Sequence, residues 1–134
     1  MKKRIIVTGV ITCLIVIAAV YFSVPAPIAD DPDDIRIYLV TVANSECIHE
    51  DITGRIDCGQ LAQVISRYQR SKLPRSFAPY QIAPGEIEIV GSAGNRTMNL
   101  LLGDVNVVYE SADRGGYVIR NGEQLASEVR KLIP

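Results

Sequence analysis

No Asp, Glu, Lys, Arg or His interrupts the chain between Ile5 and Val24, and that run restricts the fold more than any other stretch. At the helical rise of ~1.5 Å per residue it extends about 30 Å, the hydrocarbon thickness of a bilayer. Its length and composition predict a transmembrane helix. Lys2, Lys3 and Arg4 precede it, whereas Asp30, Asp31, Asp33 and Asp34 follow it. The positive-inside rule then puts residues 1–4 in the cytoplasm as a short tail, and everything after Val24 outside the cytoplasmic membrane.

A cleavable signal has an apolar region of ~7 to 15 residues and an A-x-A-like site, and this run is longer. Cutting after Ala29 would put Pro27 at minus three, and cutting after Ala26 would put it at plus one. Residues 5–24 are therefore expected to stay as a signal anchor, with a cleaved, secreted or periplasmic form as the alternative. Thr12 stands where an acylation motif ahead of Cys13 wants Gly, Ala or Ser. With no ionisable group of the kind proton relays and ion pathways use, the segment reads as an anchor and not a conduit.

Removing the anchor and a Pro/Asp linker over 25–34 leaves about one hundred of the 134 residues, enough for one extracytoplasmic domain, 35–134, with a modest core. From Ile35 onward 11 basic residues face 11 acidic ones, so nothing supplies the net basic footprint that nucleic acid demands. The absence of Trp and an aromatic share of 6% count against stacking platforms. Three prolines, Pro25, Pro27 and Pro32, among aspartates predict an extended spacer that lifts the domain off the membrane.

Ile35 to Ala43 alternates with β-branched residues and reads as a strand with Ile35, Ile37 and Leu39 on one face. The polar stretch Asn44 to Gly54 reads as a loop. Asp57 and Gln60 have capping-box spacing, and Leu61, Val64, Ile65 and Tyr68 then form one apolar stripe, so a helix is expected from Asp57 to the stop at Pro74. Strands follow at Glu86–Val90, Thr97–Leu102, Val105–Glu110 and Tyr117–Arg120, separated by turn residues. Asn121 and Gln124 repeat the capping spacing before a final helix bearing Leu125, Val129, Leu132 and Ile133. The expected fold is α+β: after the transmembrane helix, a small, mostly antiparallel sheet with two helices on one face, in the order β-α-β-β-β-β-α.

Cys47 and Cys58 fall in the exported part, where an oxidising compartment favours a disulfide; closing that loop would stabilise by ~3 kcal/mol. Cys47, His49 and Cys58 with a nearby carboxylate could instead hold zinc, but the C-x-x-C knuckle is missing. A thiol nucleophile there lacks an orienting third group. Ser92 has Val90 where a nucleophile elbow needs Gly, and Glu86 and Glu88 read as a solvated strand face. No catalytic set, cofactor or metal is expected.

Arg67, Arg70, Lys72 and Arg75, beside Phe77 and Tyr80 in a long connection, form a candidate partner-binding surface; a helix end complementing its own dipole is the plainer reading. The expected function is non-catalytic: an exported, disulfide-linked domain that binds another protein, for instance as an envelope assembly component. An inhibitor or immunity-type binder of an exported enzyme is the alternative, and a metal or thiol enzyme using the Cys47/His49/Cys58 region the second. A small-molecule ligand is not indicated either way. Mass determination on the native protein tests the anchor directly, and the intact, unacylated chain is the expected species.

Overall fold

The computed structural model describes residues 1–74, 83–110 and 116–134. The chain is α+β, with three α-helices and a six-stranded sheet among the described residues. The first helix, α1 (Lys2–Ser23), buries none of its residues and is long and apolar enough to cross a membrane. Thr8 and Thr12 donate their hydroxyls to the carbonyls of Arg4 and Thr8, both at 2.9 Å, so both threonine hydroxyls in the apolar run are satisfied inside the helix itself.

The segment after α1 is not the spacer expected over 25–34. Ala26–Pro27 (β1) pairs antiparallel with Gln69–Arg70 (β4), and the Ile28 amide donates to the Tyr68 carbonyl at 3.3 Å. Ile28 and Ala29 are only 5% and 4% exposed and belong to the core. The prolines fix an extended backbone, which an edge pairing accepts as readily as a linker does. Apolar Ile28 and Ala29 decide between the two, because burying them removes their surface from water.

Asp31 and Asp34 adopt positive φ, 49° and 51°, around the start of β2 (Asp33–Ala43). Then come β3 (Glu46–Asp51), a 3-10 turn at Thr53–Arg55 and α2 (Cys58–Ser66). Beyond β4 lie β5 (Ile87–Ala93), β6 (Arg96–Leu102), β7 (Val107–Glu110), β8 (Gly116–Val118) and α3 (Gly122–Leu132). The large sheet is antiparallel throughout, in the order β3-β2-β5-β6-β7-β8. The expected order therefore lacks β1, β3 and β4.

Alternation along the strands sends Ile35, Ile37, Ile87, Ile89, Met98, Leu100, Leu102 and Val108 into one core. Leu61, Val64 and Ile65 of α2 and Leu125, Ala126 and Val129 of α3 complete it. Each of these side chains other than Ala126 contributes about 1.5–3 kcal/mol by leaving water.

The Asp57 carboxylate caps α2, accepting from the amides of Gly59 and Gln60 at 2.9 and 3.1 Å. The helix nevertheless ends at Ser66 and not at Pro74, because the chain beyond finds a ladder. Arg120 donates its amide to Gln69, Ser71 donates to Val118, and Arg70 bridges Ile119. Tyr68 stays in the core although it lies past the helix. Asn121 takes φ 53° with no side-chain cap bond, so the capping reading fails there: a left-handed corner, which Asn tolerates, turns the chain into α3. Gly122 is demanded beside it, since an added Cβ would lie 2.3 Å from Asn106 Cβ.

A core role for residues 28–29 makes Ile28→Ala costly by about 2–4 kcal/mol, whereas Asp30→Ala should shift stability by no more than ~0.5 kcal/mol. Urea unfolding of the detergent-solubilised full chain distinguishes this from a spacer, in which both changes would be silent.

Candidate functional site

Residues 44–54, expected as a loop, contain most of a hairpin arm. Asn44 and Ser45 both take positive φ, 52° and 66°, the two-residue turn whose twist suits flanking strands. Ala43 and Glu46 close it, followed by the pairs Val42–Cys47, Thr41–Ile48 and Val40–His49. In such a hairpin the closing pair exchanges its hydrogen bonds and every second pair repeats this. The parity runs on to the Ile52 amide, which donates to the Ile37 carbonyl at 3.0 Å. His49 and Asp51 fall on the intervening pairs and turn their backbone groups to the outer edge.

β3 is the end strand of the sheet among the described residues, and only Glu50 on it is partly buried. Val42 and Ile48, 53% and 46% exposed, belong to adjacent pairs and so project from opposite faces. Glu50 is drawn to Arg55 at 2.8 Å. The Thr53 hydroxyl and amide hold the Asp51 carboxyl below the usual carboxylate range.

The hairpin is fastened at its base by a polar cluster. His49 Nδ1 lies 2.8 Å from Glu88 Oε2, and Asn99 Nδ2 donates to Glu88 Oε1 at 2.8 Å. Glu88 opposes Tyr38 and Asn99 opposes Val90, which places the cluster on the sheet face away from Ile37, Ile89 and Leu100. Glu88 is thus an orienting partner for His49. Glu86 is buried elsewhere, accepting from the Ala83 amide at 3.0 Å, so the two carboxylates do not form one solvated strip.

All three cysteines are thiols, and the expected Cys47–Cys58 disulfide is absent. A loop could have folded Cys47 back onto the helix start; a hairpin holds it beside Val42. Cys58 sits in the first turn of α2, its sulfur 3.8 Å from the Ile35 carbonyl. Among the described residues no group of three His, Cys, Asp or Glu is placed to hold a metal, so Cys47, His49 and Cys58 do not assemble a zinc site.

The basic cluster is likewise dispersed. Arg67, the residue that closes α2, reaches Glu128 at 3.0 Å. Arg70 is turned inward by the alternation of β4, meeting Glu110 at 2.6 Å and lying 3.9 Å from the Tyr117 ring centre. Arg96 shares Glu110 at 3.2 Å. Lys72 Nζ donates to the Tyr21 carbonyl at 3.4 Å and lies 4.1 Å from the Tyr21 ring centre. Arg75, Phe77 and Tyr80 lie outside the described residues.

No family model, curated protein or solved structure matches this chain. Its own chemistry supplies one clear titration signature. Burial first, then the 2.8 Å bond from its hydroxyl to Glu128 Oε1, push the Tyr68 phenol up to about 12. A raised phenol pKa stabilises the fold fully below the unfolded value of 10.0 and is lost as pH climbs through about 12. In an ultraviolet titration a phenol ionising near 12 should vanish in Tyr68→Phe, and alkaline unfolding of that variant should lose the dependence contributed between those pH values.

Proposed function

We propose that this chain is a non-catalytic, single-pass protein of the cytoplasmic membrane, and that its outer domain binds another protein as a component of an envelope assembly. Residues 1–4 lie in the cytoplasm and the domain outside, in keeping with Lys2, Lys3 and Arg4 before α1 and the aspartates after it. The mode of contact is addition of a partner strand to the outer edge of β3.

One observation carries this reading: β3 ends the sheet among the described residues with its backbone turned outward and with Val42 and Ile48 exposed on either face of the hairpin. Exposed edges of this kind pair with other chains unless charge or cover prevents it. The charges here, Glu46 and Asp51, are acidic, so they exclude another acidic edge and select a partner strand that carries Lys or Arg. Each new backbone bond contributes about 1 kcal/mol net, and Val42 and Ile48 add apolar burial.

A photo-crosslinker at Ile48 of the full chain in its native membrane should yield a discrete protein adduct, and one at Gln63 on α2 should not. His49→Pro removes an outward amide while leaving the bonded pairs with β2 in place; it should abolish the adduct. His49→Ala keeps that amide and should preserve the adduct despite losing Glu88. Equal adducts from His49→Pro and the parent chain would refute strand addition.

A further inference from the structure

We propose that the surface at the exit of α1 binds the phosphate of an anionic phospholipid headgroup, through Arg120 and Arg67, with Lys72 bonded to the last turn of α1. This rests on the membrane-crossing reading of α1 above.

The last carbonyls of any helix lack intrahelical donors and carry its negative dipole end. At the end of α1 the folded domain supplies cations to them. Arg120 Nη2 donates to the Ser23 carbonyl at 3.2 Å, and Lys72 Nζ donates to the Tyr21 carbonyl at 3.4 Å. Neither Arg120 nor Lys72 has a carboxylate within ion-pair distance among the described residues. When α1 spans the bilayer, its end lies at headgroup depth, and these two cations lie there with it. Tyr21, edge to face with Phe22 with ring centres 5.3 Å apart, is an aromatic residue of the type that marks that interface.

Arg120 also lines a cavity of about 400 Å3 between the end of α2 and the start of α3. That volume lies within the ~300–1,000 Å3 of small-ligand sites. Arg67 and Arg120 face it with the polar side chains of Asn121 and Gln124, and Glu128 is its one carboxylate. Two guanidiniums against one carboxylate leave a cationic site, and guanidinium forks match phosphate oxygens in pairs. Glu128 already holds Arg67 and Tyr68 in place at 3.0 and 2.8 Å, which preorganises the wall that a headgroup meets. The occupant is a lipid and not a soluble anion because Arg120, which lines the cavity, also bonds the last turn of the helix that enters the bilayer.

The test reconstitutes the full chain in nanodiscs of phosphatidylcholine alone or with phosphatidylglycerol, and follows amide exchange in residues 67–72 and 118–124. Phosphatidylglycerol should slow exchange there several-fold. Arg120→Gln and Arg67→Gln should each remove most of that slowing, while Lys131→Gln, at an exposed position near the end of α3, keeps it. Glycerol phosphate added to phosphatidylcholine discs should reproduce none of it. Equal exchange in both lipids, equal loss in Lys131→Gln, or full protection by glycerol phosphate overturns the proposal. Failure to co-elute with the discs would instead sink the membrane-crossing reading, and the headgroup site with it.

Discussion

The pairing of β1 with β4 is the constraint on which the rest depends. It takes the residues that leave α1 and makes them part of the domain's own fold within a few positions of the helix end, with Ile28 and Ala29 locked in the core. The helix is therefore joined to the domain by a short segment that itself pairs and packs there, and by the bonds of Lys72 and Arg120 to its last carbonyls. Lys72 and Arg120 reach the terminal carbonyls of α1 because β4 and the Arg70–Ile119 bridge hold their backbones beside it.

The same pairing explains why the basic residues after α2 do different work. A helix continuing to Pro74 would have gathered Arg67, Arg70 and Lys72 on one solvated end. Extended from Gln69, the chain instead turns Arg70 inward to Glu110 and Tyr117, and Lys72, past the end of β4, reaches α1. Burying a guanidinium is tolerated only because a carboxylate and an aromatic face meet it. At the opposite edge of the sheet, β3 extends past the core, and the bonds of Glu88 to His49 and Asn99 fasten its root.

Much of the core was legible because periodicity reports burial directly. Ile35 and Ile37, the α2 stripe Leu61, Val64 and Ile65, and Leu125 and Val129 of α3 were all readable from spacing, as was the Asp57 cap. The misses share one cause. Residues 44–54 are polar because both faces of the arm meet solvent, so no apolar alternation marks β3; the signal that could have found it was Asn44-Ser45, a turn pair directly after the β-branched run of β2. Ala26–Pro27 and Gln69–Arg70 are too short to show any period. Asn121 had the composition of a cap but the backbone of a corner. His49 and Glu88, 39 positions apart, meet only through the β3-β2-β5 order.

The sequence by itself determined a helix long and apolar enough to cross a membrane, an α+β domain after it, and the apolar positions that fill the core, because each follows from local composition and period. Tertiary structure alone decided that the supposed spacer pairs and packs as part of the domain, that the cysteines stay apart, and that Arg67, Arg70 and Lys72 take different partners. Those outcomes depend on which distant backbone offers an open hydrogen-bonding edge, and an edge exists only once the strands have assembled.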